Sequence, residues 1–329
     1  MKTTPCQCII FIDCVLCWHD ACHYDYFESG GHILIEGVDC AMDANSAILK
    51  RIGTIKNIPT LPAVMYEVLA TVASDNSSAN DLGTIISKDQ AICSRVLKMA
   101  NSAFYAQSRD IFSIEEAIIV VGFDPIVQLT LATTALSAFN KKLMVGGFTM
   151  HDLWKHSIVT AVIGKMLAEG IGRKADSRLA YTAGLLHDIG KLVLAHYFPD
   201  DYLPVFETLE SKDLHLYQAE QKVLGFTHCD IGKWLFRRWN FPGRLIKLID
   251  CHHNDNWYGN GMGAEGRAMS MANILANRWG VGTGGNKKAY SVPPEYYAAF
   301  TLDKERLETI ERKVRETEEE IEQFLKEIL

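Results

Sequence analysis

Apolar positions recur at steps of three and four residues along most of this 329-residue chain, which is the spacing of amphipathic helices. The first strong example begins at Leu61-Pro62, where proline suits the first helical turn. Its apolar positions are Val64, Val68, Leu69 and Val72. No convincing set of strand patterns accompanies the helical ones, so the sequence predicts an all-α fold.

Six further helices are predicted in the second half of the chain, separated by residues that favour turns. They cover residues 152–170, 177–197, 202–224, 227–239, 242–253 and 267–279. Gly146-Gly147 is the clearest break before them. We therefore expect a first helical lobe at residues 46–145 and a second at residues 146–280.

A charged amphipathic helix is predicted at residues 303–329, after a loop at residues 281–302. Its apolar stripe consists of Leu307, Ile310, Val314, Ile321, Phe324, Leu325 and Leu329. Docking of this stripe on the body of the protein is the simpler interpretation. A homodimer through the C-terminal helix is the alternative, although Thr317 and Glu318 interrupt the seam of a coiled coil.

The first 45 residues are an extension of different composition. They hold six of the nine cysteines: Cys6, Cys8, Cys14, Cys17, Cys22 and Cys40. The spacing fits no regular zinc finger. Because the composition from Met42 onward matches the rest, the favoured hypothesis is that translation starts there. An N-terminal metal site and an ordinary extension are the alternatives.

Charge and hydropathy limit the possible partners. The net charge of −7 gives no general affinity for nucleic acid or for an anionic membrane. No apolar run approaches the ~20 residues of a membrane span. Only Cys93, Cys229 and Cys251 follow residue 40, which is typical of a reduced, cytoplasmic protein. We expect neither nucleic acid nor a membrane as a partner.

Residues 184–191, GLLHDIGK, carry the most informative chemistry. His187 and Asp188 are adjacent in an otherwise apolar segment, and such a pair can hold a metal ion that activates water. Asp152 and His156 lie four residues apart, so a helix places both on one face. The other candidates are His228, the pair His252-His253 and Asn273. Imidazole and carboxylate together suit iron, manganese, zinc or nickel.

Six motifs occur in order between residues 55 and 255. They are NIPTLPAV from Asn57, IISKDQA from Ile85, VLKMANSAFY from Val96, SIEEAIIVVG from Ser113, LWKHS from Leu153 and AGLLHDIGKL from Ala183. Together they resemble the HDOD family. The resemblance implies an all-helical bacterial signalling module whose second lobe is an HD-like helical bundle. HDOD proteins are related to the HD and HD-GYP phosphohydrolases and are generally regarded as lacking their catalysis.

The HD-GYP relatives, which cleave cyclic di-GMP with two or three metals, imply a ligand set for this chain. By resemblance it consists of Asp152, His156, His187, Asp188, His228, His252 and His253. Lys191 would steady phosphate charge in an active enzyme. Two departures stand out: Asn254 replaces an acidic residue before a degraded signature at residues 259–263, and Asn273 stands in place of an expected Asp.

An amide oxygen is a weaker ligand than a carboxylate for a divalent transition metal. One metal position therefore loses an anionic ligand, whereas Asp188, His228, His252 and His253 still suffice for one metal. We expect a catalytically inactive regulatory module that holds at most one metal and acts through other signalling proteins or a nucleotide second messenger. The alternative is a metal-dependent phosphohydrolase acting on a cyclic dinucleotide such as cyclic di-GMP.

Overall fold

The computed structural model of the protein describes residues 28–29, 32–33, 63–73, 78–101, 110–137, 139, 144–171, 174–253, 263–286, 291–292 and 294–328. The chain divides into two compact units, Met1–Thr54 and Ile55–Leu329. In the first unit, the strands Glu28–Ser29 (β1) and His32–Ile33 (β2) pair antiparallel. The six N-terminal cysteines and Met42, on which the predictions for the extension depend, lie outside the described residues.

The described part of the second unit begins with a series of short helices. They are Ala63–Ala73 (α1), Ala79–Ser87 (α2), Gln90–Ala100 (α3), Ile114–Val121 (α4) and Phe123–Ser137 (α5). The amide of Asp81 donates to Ser78 Oγ at 3.2 Å, and the amide of Ser78 donates to Asp81 Oδ2 at 3.0 Å. This reciprocal pair satisfies amides at the start of α2 that have no partner within the helix.

The predicted boundary at Gly146-Gly147 is the turn of a short hairpin. Met144–Val145 (β3) pairs antiparallel with Phe148–Thr149 (β4). Both glycines have positive φ angles, 58° and 78°, which cost glycine little. A Cβ at Gly146 would lie 2.5 Å from Cγ of Phe206, so this turn requires glycine.

The helices that follow carry the predicted ligands. They are Met150–Gly170 (α6), Lys174–Leu186 (α7), Ile189–Tyr197 (α8), Pro199–Ser211 (α9), Leu216–Leu224 (α10), His228–Arg238 (α11), Gly243–Cys251 (α12), Ala264–Trp279 (α13), Pro294–Ala299 (α14) and Lys304–Ile328 (α15). Every strand among the described residues is two residues long. The prediction of an all-α fold is confirmed.

Helix α6 forms the centre of this helical body. It packs along α7 and α13 and also contacts α15. Leu153, Val159, Ile163 and Leu167 of α6 are buried. A Cβ at Gly184 of α7 would lie 2.7 Å from Cα of Ala161, so glycine permits the close approach of α7 to α6.

Three predicted boundaries differ from the structure. The predicted helix over residues 177–197 is two helices, because the backbone at Asp188 (φ −95°, ψ 9°) leaves the helical conformation. The predicted helix over residues 202–224 ends at Ser211 and resumes at Leu216. Helix α14 lies inside the predicted loop at residues 281–302. A continuous apolar pattern does not show where one helix ends and the next begins, because buried residues are apolar in either case.

The predicted C-terminal amphipathic helix is present as α15, and five of the seven residues of its apolar stripe are buried within this chain. Its buried residues are Ile310, Val314, Ile321, Phe324 and Leu325. Lys155 of α6 donates to Glu318 at 2.8 Å and pairs with Glu322 at 2.6 Å. Docking on the body of the protein therefore accounts for the stripe. None of the helices in the described ranges combines the length and the apolar character needed to cross a bilayer.

Candidate metal centre

His187 and Asp188 lie at the junction of α7 and α8, and both are buried, at 0% and 1% exposure. The turn is closed by the amide of Lys191, which donates to the Asp188 carbonyl at 2.9 Å. Nδ1 of His187 lies 2.7 Å from the Gly184 carbonyl oxygen and donates to it. Nε2 of His187 is therefore an unprotonated acceptor, and it is buried without a hydrogen bond from the described residues.

The Asp188 carboxylate lies between two groups of imidazoles. Its Oδ2 is 3.2 Å from Nε2 of His187 and 3.7 Å from Nε2 of His156. Its Oδ1 is 3.3 Å from Nε2 of His228 and 3.6 Å from Nε2 of His252. We call His156, His187 and Asp188 the first cluster. One carboxylate thus faces two neighbouring positions through different oxygens.

The second cluster consists of His228, Cys229, His252 and His253. His228 opens α11, and His252-His253 follow α12, which packs against α11. Nε2 of His228 is 3.2 Å from Nε2 of His252 and 3.2 Å from Nε2 of His253. Two nitrogens that each lie ~2.1 Å from one tetrahedral ion are separated by roughly 3.4 Å. The three imidazoles therefore fit a single ion.

A buried carboxylate orients His228. Oε2 of Glu220 accepts hydrogen bonds from Nδ1 of His228 at 2.5 Å and from its backbone amide at 2.9 Å. Oε1 of Glu220 accepts a hydrogen bond from the Tyr202 hydroxyl at 2.6 Å. Histidines that bind metals usually donate their other ring N–H to such a partner. The arrangement turns Nε2 of His228 toward Asp188 and the second cluster.

The other two imidazoles of the second cluster are also held by neighbours. Nδ1 of His252 donates a hydrogen bond to the Ile249 carbonyl oxygen at 2.7 Å. The ring of His253 stacks on Tyr217 with a centroid separation of 4.7 Å and an interplanar angle of 12°. Nε2 of His252 is consequently the ring nitrogen that faces the second cluster, because Nδ1 is held by the Ile249 carbonyl.

Burial and neighbouring charges set the ionisation of the centre. Burial alone would raise the pKa of Asp188, but His187 and Lys191 hold it well below its ordinary value. Burial lowers the pKa of His187. Burial would likewise raise the pKa of the Cys229 thiol, but His252 and His228 lower it to about 7. Burial alone would lower the pKa of His228 and of His252, but Glu220 holds that of His228 well above its ordinary value and Cys229 raises that of His252 to about 9. A metal ion would replace the protons on Nε2 of these two rings, so the centre offers a carboxylate anion, imidazoles and an easily ionised thiol, which are all metal ligands.

Lys191 occupies the side of Asp188 that faces the first cluster. Its ammonium donates to Asp188 Oδ2 at 2.7 Å and to the Gly284 carbonyl at 2.7 Å, and its side chain is 1% exposed. A Cβ at Gly284 would lie 3.0 Å from Cδ2 of His156 and 3.1 Å from Asp188 Oδ2. The segment after α13 thus packs directly over the first cluster.

Asn273 fixes the protonation of His156. The Asn277 amide NH2 donates to the Asn273 backbone carbonyl and to its side-chain Oδ1, both at 2.8 Å. The atom of Asn273 that faces Nε2 of His156 at 3.0 Å is therefore the oxygen. Because an amide oxygen only accepts hydrogen bonds, Nε2 of His156 carries a proton and cannot bind a metal in this arrangement.

Asp152 lies outside both clusters. Its Oδ2 accepts a hydrogen bond from the Thr149 hydroxyl at 2.5 Å, and its amide donates to Thr149 Oγ1 at 3.1 Å. Its side chain is 40% exposed. Asp152 thus lies in the first turn of α6 and holds the capping hydroxyl of Thr149, whereas the five histidine candidates and Lys191 lie around Asp188. Asn254 and residues 259–262 lie outside the described residues.

Three residues of the centre were not found by reasoning from the sequence: Glu220, Cys229 and Gly284. Cys229 directly follows His228, and that adjacency was the one available signal. Glu220 and Gly284 reach the centre only through the packing of α10 against α11 and of the segment after α13. Helical periodicity carries no information about such contacts between distant segments.

The model of the HDOD domain family matches residues 58–255. An uncharacterized protein of Treponema pallidum is 26% identical over 200 residues, which cover 61% of this chain and 38% of that protein. Ribonuclease Y of Aquifex aeolicus is 28% identical over 143 residues, which cover 43% of this chain and 20% of that protein. The chain therefore spans well under half the length of these curated relatives.

Solved structures share the fold over most of this chain. An HDOD domain protein of unknown function from Geobacter sulfurreducens has a TM-score of 0.71 at 21% identity, covering 87% of this chain and 98% of its own. A protein from Marinobacter aquaeolei VT8, provisionally named a signal transduction protein, has a TM-score of 0.74 at 24% identity, covering 88% and 67%. One from Shewanella amazonensis SB2B, provisionally named a phosphohydrolase, has a TM-score of 0.64 at 22% identity, covering 86% and 98%.

Proposed function

This chain belongs to the HDOD domain family, and from that premise we propose that it is a regulatory signal-transduction module. Its HD-type centre holds one divalent transition metal and does not hydrolyse phosphodiesters. His228, His252 and His253 are the residues that would hold the ion, with the Asp188 carboxylate beside them to balance its charge. A metal there would supply Lewis-acid and charge-stabilising chemistry of the kind that HD-type hydrolases use.

The observation that carries the proposal is the difference between the two sides of Asp188. On one side, three Nε2 atoms lie within ligand spacing of each other, and the buried Oδ1 of Asp188 has no hydrogen bond from the described residues. A buried carboxylate oxygen is costly unless a cation or donor compensates it. This fits a metal at the second cluster.

On the other side of Asp188, the Lys191 ammonium supplies the positive charge itself. Asn273 keeps a proton on Nε2 of His156, and Gly284 covers both His156 and Asp188. Phosphodiester hydrolysis by a metal pair requires two ions roughly 3.5–4 Å apart that clamp the attacking and leaving oxygens. The first cluster in this form supports neither a second ion nor the entry of a substrate.

The comparisons support a regulatory role at the level of the family. One structural neighbour is provisionally named a signal transduction protein, which agrees with that role. We propose other signalling proteins as partners, with a nucleotide second messenger as a further ligand. Such a module would transmit a signal through contacts on its helical surfaces rather than through a product.

A metal-dependent phosphohydrolase acting on a cyclic dinucleotide is the second candidate. The retained imidazoles and Asp188 favour it, as do the names of the ribonuclease Y relatives and of one structural neighbour. In that case Lys191 would have to release Asp188 and steady the phosphate. The chain would also need a second ion beside His156.

Hydrolysis of cyclic di-GMP distinguishes the regulatory module from the phosphohydrolase. The full chain is loaded in turn with iron, manganese, zinc and nickel and incubated with cyclic di-GMP, with an active HD-GYP phosphodiesterase as the positive control. We expect no linear dinucleotide above the level of a His187→Ala variant. Turnover that the His187→Ala substitution abolishes would overturn the proposal and establish the hydrolase.

A further inference from the structure

Cys229 is a fourth donor in the second cluster, and the ligand set implied by the HD-GYP relatives does not contain it. Its Sγ lies 3.7 Å from Nδ1 and 3.8 Å from Nε2 of His252. One donor atom from each of His228, Cys229, His252 and His253 lies within 4.8 Å of all the others. Cys229 is 6% exposed and is not in a disulfide. The sulfur is therefore a buried neighbour of three converging imidazoles.

The distances suit four ligands around one ion. A tetrahedral zinc ion binds sulfur at ~2.3 Å and nitrogen at ~2.0–2.1 Å, so its ligands are separated by roughly 3.4–3.6 Å. The Nε2 atom of His228 lies 3.2 Å from each of its two partners, and Sγ of Cys229 lies 3.8 Å from Nε2 of His252. These three distances lie within a few tenths of an ångström of the tetrahedral spacings, and the remaining pairs of donors lie within 4.8 Å of each other.

The local structure explains why these donors meet. His228-Cys229 are the first two residues of α11, and His252-His253 directly follow α12. Adjacent residues at two packed helix ends thus contribute all four side chains. The amides at the start of α11 present positive partial charge, which favours a thiolate there. Oδ1 of Asp188, which is buried and receives no hydrogen bond from the residues that the structure describes, faces the same imidazoles and points independently to a cation.

We propose that Cys229 is a metal ligand that completes, with His228, His252 and His253, a closed four-coordinate site for zinc. The inference rests on the proposed function, because it takes the second cluster as the metal position. Binding forms a sulfur–zinc bond, and the thiol proton passes to solvent. A thiolate selects zinc over the harder ions manganese and magnesium. Four protein ligands also leave no position for a reactive water, as in structural zinc sites.

The absorption spectrum of bound cobalt(II) shows directly whether sulfur is one of its ligands. The metal-free full chain is titrated anaerobically with Co²⁺ while its absorption spectrum is recorded, and zinc affinity is measured by competition with a chelator. The variants are Cys229→Ala and Cys229→Ser, with Cys93→Ala and Cys251→Ala as matched controls that remove a different sulfur. Far-ultraviolet circular dichroism of each metal-free variant checks that it folds.

The wild type and both controls should give a near-ultraviolet thiolate-to-cobalt charge-transfer band and the intense visible bands of tetrahedral cobalt. Both Cys229 variants should lose the charge-transfer band. Loss of a side chain that only hydrogen-bonds to a metal ligand typically lowers affinity roughly 10–100-fold. Loss of Cys229, a direct ligand, should lower the zinc affinity by more than that.

Two other outcomes distinguish failure of this inference from failure of the proposed function. If the wild type binds cobalt without a charge-transfer band and Cys229→Ala keeps its zinc affinity, Cys229 is an ordinary buried side chain. The inference then fails and the proposed function stands. If the wild type binds neither cobalt nor zinc, the proposed function fails as well. A charge-transfer band that persists in a folded Cys229 variant would assign the sulfur to another of the nine cysteines and would also overturn the inference. If Cys229→Ala fails to fold, Cys229→Ser, which keeps the size of the side chain, decides the question, and absence of the band from the wild type overturns the inference without any variant.

Discussion

At the scale of single residues, the amide of Asn273 determines how the first cluster can be used. Its oxygen lies 3.0 Å from Nε2 of His156 and accepts a hydrogen bond from the N–H there, whose proton a metal ligand would have to lose. Burial lowers the pKa of His156 to about 3, so this imidazole is neutral and donates through Nε2 alone. A carboxylate at the same position would supply negative charge and could share an ion with His156.

The first prediction concerns the Asn273→Asp variant. The added anion should make a second metal position, so the metal-to-protein ratio should rise above that of the wild type in the presence of excess manganese or iron. Elemental analysis after gel filtration measures the ratio. Asn273→Leu is the matched control, since it keeps the size of the side chain and supplies no ligand. An unchanged ratio in Asn273→Asp would mean that Asn273 does not stand at a lost metal position.

At the scale of elements, the crossing of α8 and α11 brings Asp188 close to His228. A Cβ at Gly190 would lie 2.0 Å from the carbonyl oxygen of His228 and 2.9 Å from the amide nitrogen of Gly232. Backbone atoms cannot move aside as a flexible side chain does. Glycine at this position is therefore what allows the two helices to approach closely enough for one carboxylate to face both clusters.

The second prediction follows from this contact. Gly190→Ala should lower the free energy of unfolding by about 3 kcal/mol, the upper part of the range for overpacked sites, because α8 and α11 must separate. Urea denaturation of the metal-free protein measures the change. Gly243→Ala is the control, since a Cβ there meets no atom within 4 Å. Equal stabilities of the two variants would contradict the close crossing.

The third prediction concerns pH and the docking of α15. The hydrogen bond from Lys155 is the largest influence that lowers the pKa of Glu318 and of Glu322 below the ordinary value of 4.5. A carboxyl with a lowered folded-state pKa binds fewer protons than in the unfolded chain. Its stabilisation is complete above pH 4.5 and is lost as the pH falls through the folded-state value.

Lys155→Met should therefore cost about 1 kcal/mol at pH 7, the upper end for partly exposed ion pairs, and progressively less as the pH falls below 4.5. Thermal denaturation across this pH range measures the difference. Lys165→Met, on the same helix, serves as the control, because its distance to Glu169 is 4.0 Å and that contact lies within one helix. A cost of Lys155→Met that does not diminish with acid would show that the lysine stabilises α15 through packing alone.

At the scale of the whole molecule, the sequence predicted most of the helices but not the details that decide how the centre works. Periodic apolar positions predicted α6, α11, α13 and α15 to within a few residues. The break at His187-Asp188 was missed, because both segments beside it are buried and apolar. That break turns the Asp188 carboxylate toward two clusters at once.

The candidate ligands came from adjacent His-Asp and His-His pairs and from the resemblance to HDOD and HD-GYP proteins. The structure brings the five histidines around Asp188 and places Asp152 in the first turn of α6, hydrogen-bonded to the cap residue Thr149. The state of each cluster depends on Lys191, Gly284 and Glu220, whose contacts cross from one segment to another. Such contacts follow from tertiary packing, which neither residue spacing nor motif order encodes.

The number of metal ions bound per chain tests the central claim most directly. Native mass spectrometry of untagged protein, purified without chelator, should show one divalent transition metal per chain. The ion should persist in His156→Ala and be lost in His228→Ala, because only the second cluster holds it. Two ions in the wild type, or loss of the ion in His156→Ala with retention in His228→Ala, would contradict the account.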